Sequence, residues 1–341
     1  MTSSIHNRRF FLRKATLGGL ALGIAPLAWP YSNIVEPGKR VGMIGLDTSH
    51  SVALTKALNA TEASSTYAGY KVVAAYPYGS KTIESSAKRI PDYISEVKKL
   101  NVDLVDSIDE LLKKVDVVLL ETNDGRLHLE QVTQVLKAGK RVFIDKPIAA
   151  SLADVLAIFE LASKYNVPVF SASSLRYIKG IEGIDKGQVL GADTFSPAVL
   201  EKTHPDLFWY GVHGVETLYT AMGTGCRQVV RVHTDGTDIV IGTWADGRVG
   251  TFRGTRTGKH EYGGTVYMQA GNTKLGPYGG YEPLLKEIIT YFETGKSPVT
   301  PEETIEIFAF MEAADESKRQ KGAAVTIESV LAKAKKKVAI K

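Results

Sequence analysis

The amino-acid sequence predicts an α/β protein, in which a doubly wound parallel sheet is followed by an α+β domain with an open, mainly antiparallel sheet. Two observations carry this prediction. Over residues 38–150, apolar runs typical of buried strands alternate with helical patterns, as they do in parallel sheets. From Gly187 onward, the periodicity changes to alternating strands separated by turn signals. The 341 residues are enough for two domains with sizeable cores.

The first domain, residues 38–150, is expected to have a Rossmann-type sheet. Its predicted strands are Arg40–Leu46, Tyr70–Tyr76, Val115–Glu121 and Arg141–Ile144. The helices predicted between them are Val52–Asn59, Ser107–Lys114 and His128–Lys137. Because crossovers between parallel strands are right-handed, the carboxyl ends of these strands should share one edge of the sheet. That edge is where open α/β sheets bind ligands.

The second domain, residues 151–341, is expected to bind substrate and to support oligomerisation. It begins with a helix at Ser151–Tyr165 and a strand at Val167–Ser171. Its alternating strands are predicted at Gln228–His233, Asp238–Trp244, Arg248–Thr255 and Gly264–Ala270. Two helices follow at Pro283–Thr294 and Pro301–Lys318, and Ala324–Ile327 is predicted to return to the first domain.

Residues 1–30 have the pattern of a twin-arginine export signal. Arg8 and Arg9 begin the run R-R-F-F-L-R-K, and an apolar segment rich in Gly and Ala follows from Ala15 to Trp29. This pattern predicts a periplasmic protein. Since Pro26 disturbs the small-residue cleavage sites, an uncleaved leader could anchor the chain to the membrane.

The charge balance excludes a nucleic-acid-binding stripe. The net charge is +5, but four of the 42 basic residues lie within the first 14 positions. Without them, basic side chains nearly balance the 37 acidic ones, so no nucleic-acid partner is predicted. The single cysteine, Cys226, excludes an intrachain disulfide and a site with several cysteine ligands.

The turn Asp145-Lys146-Pro147 follows the last strand of the first domain. That strand ends at the ligand-binding edge, and Pro147 stiffens the turn because its ring fixes φ. Lys146 is therefore a candidate ligand-binding residue. The alternative is a solvated lysine in an ordinary turn.

The first strand-to-helix turn, Gly45 to His50, departs from the G-x-G-x-x-G pattern that brings backbone close to a pyrophosphate. Gly45 is retained, whereas Asp47 takes the place of the second glycine. In one interpretation, the hydroxyls of Thr48 and Ser49 bind phosphate with the helix N-terminus that holds His50. Asp47 then turns away as a helix cap. In the other, the nucleotide site is altered or lost; the intact neighbouring elements favour the first.

The second strand ends without the acidic residue that binds the ribose 2′-hydroxyl of NAD. It is followed by Tyr76-Pro77-Tyr78-Gly79-Ser80-Lys81. Ser80 and Lys81 could bind a 2′-phosphate, which favours NADP weakly, or they could form a solvated turn. The sequence leaves NAD and NADP open.

Three segments together resemble the Gfo/Idh/MocA (glucose-fructose oxidoreductase and inositol dehydrogenase) family. They are T-N-x-x-x-x-H from Thr122, A-G-K-x-x-x-x-D-K-P ending at Pro147, and G-V-H-x-x-E ending at Glu216. The resemblance covers nearly all of the chain that follows the leader.

This resemblance implies roles for individual residues of the first domain. Lys146 is expected to touch both the nicotinamide and the substrate. Thr122 and Asn123 are expected to lie over the nicotinamide ribose, and His128 to begin the next helix beside them. Arg176 matches an arginine that often lies near the ligand, and pairing with a carboxylate is its alternative role.

His213 matches the family's histidine on the helix that faces the nicotinamide. Trp209 stands four residues earlier, where the family has an aspartate, so both side chains share one helical face. Trp209 is expected to pack in the site and Tyr210 to supply a polar group. A neutral histidine can accept a proton from a sugar hydroxyl, although a satisfied core histidine is the alternative. A metal site of His213 with Glu216 or His204 has little support, and none is predicted.

The resemblance implies an exported NAD(P)-dependent oxidoreductase that acts on a sugar, polyol or glycoside. His213 would remove a hydroxyl proton while Lys146 stabilises negative charge. A tightly held cofactor is expected, since the periplasm supplies no free nicotinamide. The alternatives are a glycoside lyase or hydrolase that oxidises its substrate transiently, and a non-catalytic sugar-binding protein. Oligomerisation through the open sheet, common in this family, implies a homo-oligomer.

Overall fold

The computed structural model describes residues 38–339 and confirms the predicted α/β architecture. Its first sheet has six parallel strands, in the order β3-β2-β1-β4-β5-β6. These strands are β1 (Arg40–Ile44), β2 (Lys71–Tyr76), β3 (Asp103–Leu104), β4 (Val117–Leu120), β5 (Val142–Ile144) and β6 (Val169–Ser171). The helices of this part are α1 (Ser49–Asn59), α2 (Glu84–Ala87), α3 (Ile90–Lys98), α4 (Ile108–Lys114), α5 (His128–Lys137) and α6 (Leu152–Tyr165).

Local sequence signals explain where these helices begin. Ser107 caps α4 by accepting a hydrogen bond from the backbone N–H of Glu110 at 3.1 Å. Ser151 caps α6 in the same way. The strands between the helices are apolar along their whole length, since β1, β4 and β5 are covered on both faces.

The second sheet has seven strands, in the order β12-β11-β7-β10-β9-β8-β13. They are β7 (Val189–Pro197), β8 (Cys226–His233), β9 (Thr237–Trp244), β10 (Val249–Thr255), β11 (Gly263–Met268), β12 (Gly271–Leu275) and β13 (Val325–Thr326). The pair β7 and β10 is parallel, and the other pairs are antiparallel. The prediction of an open, mainly antiparallel sheet is therefore confirmed.

Helices of the second half connect the two sheets. They are α7 (Asp206–Trp209), α8 (Val212–Met222), α9 (Glu282–Thr294), α10 (Pro301–Arg319) and α11 (Ile327–Val338), and short 3₁₀ turns lie at Ser65–Tyr67, Ser174–Tyr177 and Lys186–Gln188. Helix α8 packs on the second sheet against β7 and β10. Helix α9 packs its apolar side chains into the core beneath β1, so a late segment of the chain completes the first domain.

Two segment boundaries differ from those expected. The parallel sheet extends beyond residue 150, because β6 pairs with β5. The segment Ala324–Ile327 was expected to return to the first domain. Instead, β13 pairs with β8 at the edge of the second sheet, and it is α11 that packs against α6.

The predicted export signal lies outside the described residues. Within residues 38–339, no helix combines the length and apolar character needed to span a bilayer.

Candidate active site

The carboxyl ends of β1, β4 and β5 meet at one edge of the parallel sheet. The backbone N–H of Glu121 donates to Ile44 at 2.8 Å, and that of Asp145 donates to Leu120 at 2.9 Å. Gly45 follows β1 with φ of +90°, and a Cβ there would lie 2.5 Å from the backbone nitrogen of Thr122. Only glycine therefore allows the two loops to approach so closely.

A cavity of about 320 Å³ opens at this edge, beside the N-terminus of α1. Lys146, which is 7 % exposed, and His213 lie in its wall. The structure thus brings together eight residues that the sequence singles out: Thr48, Ser49, His50, Asn123, Lys146, Trp209, Tyr210 and His213. They come from both halves of the chain, as expected for a site between a Rossmann sheet and a second domain.

Asp145 holds His50 at the mouth of this cavity. Its Oδ2 accepts a hydrogen bond from His50 Nδ1 at 2.8 Å and lies 4.0 Å from Lys146 Nζ. Burial opposes ionisation of Asp145, but His50 and Lys146 outweigh this effect and lower its pKa to about 2. Asp145 is therefore a fixed negative charge next to Lys146.

His213 is buried with Ser173 as its polar partner. Its Nδ1 lies 2.7 Å from Ser173 Oγ, which also accepts the backbone N–H of Leu175 at 3.1 Å. Burial, together with the charges of Lys146 and His50, lowers the pKa of His213 well below its usual value. The imidazole is therefore neutral near pH 7, because the charge of Asp145 offsets this lowering only in part and the hydrogen-bond partner of Nδ1 is a neutral hydroxyl.

Three tyrosines that the sequence did not single out, Tyr262, Tyr278 and Tyr281, form a row with the predicted Tyr210, and Tyr210 and Tyr281 line the cavity. Tyr210 Oη lies 3.0 Å from Tyr262 Oη, and the Tyr262 and Tyr278 rings are 5.8 Å apart. Tyr281 follows at 6.1 Å and packs on the His50 ring at 4.8 Å. The only sequence signal for the last two is the Y-G-G-Y segment before α9. Such a row offers apolar faces and hydroxyls together, which suits a polyhydroxylated ligand.

Asp47 is not the helix cap that the sequence suggested. Thr48 is the N-cap of α1, and Asp47 points inward with no exposed surface. Its two carboxylate oxygens accept backbone N–H groups of Ser80 and Asn123, each at 2.9 Å. A Cβ at Gly79 would lie 2.0 Å from the carboxylate, so Gly79 is required for this contact. Asp47 thus ties the loops after β1, β2 and β4 together.

A second cavity of about 630 Å³ lies on the other side of this Asp47 bridge. Lys81 and Arg126 lie in its wall with Tyr76 at the end of β2. Lys81 therefore remains a candidate for a nucleotide phosphate. Ser80 instead uses its hydroxyl to accept the N–H of Ile83 at 3.0 Å, which orders the loop itself.

Five predicted site residues lie outside both cavity walls: Gly45, Ser80, Thr122, His128 and Arg176. His128 is fully buried and bridges the carbonyls of Thr122 and Ile148, so it positions loops in place of the expected cofactor contact. Thr122 packs against Gly45 with its hydroxyl buried. Arg176 donates to Glu216 at 2.8 Å and pairs with Glu303 at 2.7 Å. Its alternative role as an ion-pair partner is thus the one the geometry supports, because both carboxylates hold it away from the cavity.

The metal grouping considered for His213 does not form. His204 accepts the backbone N–H of Gly125 at 3.2 Å and packs on Trp209, and burial lowers its pKa to about 4. Glu216 is engaged by Arg176 and by the backbone N–H of Ser173. Neither side chain is available to His213 as a co-ligand.

The two cavities fit the two ends of a dinucleotide, whereas the Asp47 bridge does not fit its centre. In a Rossmann sheet the diphosphate crosses between the loops after β1 and its neighbours. Here a buried carboxylate and the loop that contains Ser80 occupy this crossing. A diphosphate could enter only after both hydrogen bonds of Asp47 open, and it would then face a like charge.

Comparisons with known proteins support an oxidoreductase fold. Residues 39–173 match a family model described as an oxidoreductase family with an NAD-binding Rossmann fold. An uncharacterized oxidoreductase from Streptococcus pneumoniae serotype 4 is 30% identical over 86 residues. That match covers 25% of this chain and 23% of the relative, so the chain spans about a quarter of the relative's length.

Solved structures share the whole fold at low sequence identity. Myo-inositol dehydrogenase from Lactobacillus casei, solved with NAD(H) and myo-inositol, is 17% identical with a TM-score of 0.66, over 84% of this chain and 96% of that one. Scyllo-inositol dehydrogenase from the same organism, solved with NAD(H) and scyllo-inositol, is 14% identical with a TM-score of 0.65, over 85% and 99%. A protein from Desulfitobacterium hafniense assigned as an NADPH-dependent oxidoreductase is 18% identical with a TM-score of 0.67, over 86% and 98%.

Proposed function

We propose that this chain is an NAD(P)-dependent oxidoreductase of the Gfo/Idh/MocA family that acts on a hydroxyl group of a sugar or polyol, and the match of residues 39–173 to that family's NAD-binding Rossmann fold supports the proposal. The observation that carries the proposal is the meeting of Lys146 and His213 in one cavity at the sheet edge. Inositol dehydrogenases with the same fold act on polyols of a size that suits this cavity.

Lys146 and His213 have complementary roles in this proposal. The ammonium group of Lys146 binds the reacting hydroxyl and stabilises the negative charge that develops on its oxygen. His213 donates its Nδ1 hydrogen to Ser173, which leaves the Nε2 lone pair to accept the hydroxyl proton. Because Ser173 is neutral, the protonated histidine gains less stabilisation than it would beside a carboxylate.

The tyrosine row supplies the rest of the polyol site. Ring faces of Tyr210 and Tyr281 pack against C–H groups of a pyranose or inositol ring, and their hydroxyls hydrogen-bond to its other oxygens. Asn123, Ser49 and Thr48 add small polar groups on the opposite wall. Besides Lys146, Arg89 and two histidines, the cavity wall offers neutral hydroxyl and amide groups, which suit a polyhydroxylated substrate.

Two measurements test the proposal. The purified protein is denatured and its supernatant analysed for NAD(H) and NADP(H), and the intact protein is assayed with inositols and hexoses while nicotinamide absorbance is followed. We expect a bound or added nucleotide that changes oxidation state when a polyol is present. Product analysis then separates oxidation from glycoside cleavage. The absence of both nucleotide and turnover would exclude an oxidoreductase.

A sugar-binding protein without nucleotide is the second candidate, and the Asp47 bridge favours it. Calorimetry with a polyol and with each dinucleotide separates the two functions. The nucleotide-free candidate predicts polyol binding in the wild type together with no dinucleotide binding. It also predicts that Asp47→Gly restores dinucleotide binding, because this change removes the carboxylate from the crossing.

Export is a further part of the proposal, supported by Arg8 and Arg9 before the apolar segment. Fractionation of cells that produce the wild type and an Arg8→Lys/Arg9→Lys variant would test it. The wild type is expected in the periplasmic or membrane fraction and the variant in the cytoplasm. An equal distribution of the two proteins would contradict export by this route.

We also propose that the open face of the second sheet joins two copies of the chain. Val232, Val249 and Phe195 are exposed on it by 57%, 46% and 38%. They lie on β8, β10 and β7 of the same sheet, and exposed apolar groups that share one face are typical of an interface. Light scattering after gel filtration should give an oligomer for the wild type and a monomer for Val232→Glu, and a monomeric wild type would contradict the proposal.

A further inference from the structure

Glu121 is a buried acid without a partner. It lies directly after β4 with no exposed surface, and neither carboxylate oxygen has a hydrogen-bond partner. A buried carboxylate in this state is costly, since burial removes its hydration and nothing replaces it. Such a group normally marks either a strained site or a ligand that belongs there.

Two further metal-binding side chains face Glu121 from neighbouring segments. His50 comes from the first turn of α1, and Asp145 from the end of β5. One ligand atom of each of the three residues lies within 4.8 Å of the other two. His50 Nδ1 and Asp145 Oδ2 are 2.8 Å apart in a hydrogen bond, and a tetrahedral ion would replace the proton and separate the two atoms to about 3.3 Å.

We propose that His50, Glu121 and Asp145 bind one divalent transition-metal ion, such as Zn²⁺ or Mn²⁺. One imidazole nitrogen and two carboxylates are a common ligand set for first-row divalent ions. The ion would give Glu121 the partner it lacks. It would also be reached from the cavity, because His50 lies in the cavity wall.

The charge balance of the site accommodates a dication. In their ionised forms, Glu121 and Asp145 would supply two negative charges to the ion. Lys146 opposes the ion, since its Nζ lies 4.0 Å from Asp145 Oδ2. With three protein ligands, the ion keeps a coordination position for water or for a hydroxyl oxygen of the substrate. The proposal therefore stands whether or not a dinucleotide binds.

Metal binding to the full chain tests this assignment. Protein purified without a histidine tag is stripped with EDTA and titrated with Zn²⁺ or Mn²⁺ by calorimetry, and thermal unfolding is recorded with and without each ion. We expect one ion per chain and a higher Tm in its presence. Binding of neither ion would overturn the proposal.

Variants locate the site. Glu121→Gln keeps the side-chain shape but removes a ligand charge, so it should weaken the affinity at least about tenfold while the metal-free protein stays folded. His50→Gln should also weaken the metal affinity, and it replaces Glu121→Gln as the test if that variant fails to fold. Glu130→Gln removes an exposed carboxylate from the same edge of the sheet and should leave binding unchanged. Wild-type affinity in both site variants would show that the ion binds elsewhere and would overturn the proposal.

Discussion

Two clusters of buried charges differ in how completely their members are paired. In the Arg231 cluster, formed by Arg231, Asp206, Asp238 and Asp315, each guanidinium nitrogen meets its own carboxylate. The distances are 2.9 Å to Asp206 and 2.8 Å to Asp238, and Asp315 makes the third contact. In the strand-end cluster, formed by His50, Glu121, Asp145 and Lys146, Glu121 has no partner.

The difference separates a structural role from a functional one. The Arg231 cluster joins β8, β9, α7 and α10, far along the chain from the cavity residues of the first domain. Its charges satisfy one another, so breaking it leaves a buried charge unpaired. The strand-end cluster has an unpaired carboxylate and a lysine beside a cavity, as expected for charged groups that bind a ligand.

Arg231→Met should produce the largest effect, and it should be on stability. Removing the guanidinium leaves three aspartates without their common partner, which costs about 3–5 kcal/mol of unfolding free energy. Urea unfolding would measure it. Lys113→Met, which removes an exposed lysine paired with Asp109 one helical turn away, is the control and should leave stability nearly unchanged. Equal losses of stability in the two variants would contradict a stabilising role for the Arg231 cluster.

The stability difference between wild type and Arg231→Met should shrink in acid. Burial opposes ionisation of Asp206 and Asp238, but hydrogen bonds from Lys318, Arg231 and Arg256 lower their pKa values. A lowered pKa contributes stability above the unfolded value of about 3.9, and this contribution is lost as pH falls through the folded pKa. Unfolding curves at about pH 4 and at lower pH values would test it. A difference that stays constant would contradict this assignment.

The pKa of Asp315 is shifted in the opposite direction from those of Asp206 and Asp238, so its effect on the pH dependence of stability is also opposite. Its burial raises its pKa to about 7, so the folded state holds this proton more tightly than the unfolded one. Its contribution to stability is therefore lost as pH rises from about 4 through 7. For this reason the test of the cluster's paired carboxylates belongs below pH 4, where Asp315 is protonated in both states.

Sequence periodicity was enough for five of the six strands of the first sheet and for the place of the site, whereas the two-residue strand β3 was not predicted. The strand predicted at Arg40–Leu46 is β1 (Arg40–Ile44), and Val115–Glu121 contains β4, because fully buried parallel strands are continuous apolar runs. Lys146 follows such a run, so its position at the ligand edge could be predicted. Strand β7 was not predicted, and its parallel pairing with β10 joins residues more than 50 positions apart, which periodicity cannot detect.

Contacts between distant residues account for what the sequence could not predict in the site. Asp47 could be identified as an anomaly, but its inward direction depends on backbone N–H groups of Ser80 and Asn123 from two other loops. Glu121 was predicted only as the end of a strand. Its role depends on His50 and Asp145, which arrive from other segments.

Lys146→Met should leave stability nearly unchanged and reduce catalysis strongly. Lys146 makes no close ion pair, so little folding energy depends on it. Loss of one electrostatic donor to developing charge typically lowers kcat/KM about 10²–10³-fold. Steady-state kinetics with an active polyol would measure this. Lys81→Met changes the same residue type at the other cavity, so it should alter the KM for nucleotide and preserve kcat. A strong loss of stability in Lys146→Met would place Lys146 with the structural cluster.

Glu121→Met should stabilise the metal-free protein, in contrast to Arg231→Met. The change replaces an unpaired buried carboxylate by an apolar side chain of similar length, which removes a penalty of about 1–3 kcal/mol. Urea unfolding in EDTA would measure it, with Glu130→Met as an exposed control. A clear loss of stability would mean that Glu121 has a structural partner, as the charges of the Arg231 cluster do.

Ser173→Ala should have the smallest effect, because it removes only neutral hydrogen bonds, one with His213 and one from the backbone N–H of Leu175. The change leaves His213 in place but without its Nδ1 partner, so the imidazole loses its orientation. A hydrogen bond of this kind contributes about 0.5–1.5 kcal/mol, so kcat should fall roughly two- to tenfold while KM changes little. Ser173→Thr keeps the hydroxyl and should recover most of the activity. A loss as large as that of Lys146→Met would show that Ser173 touches the reacting atoms, and its role would then be catalytic.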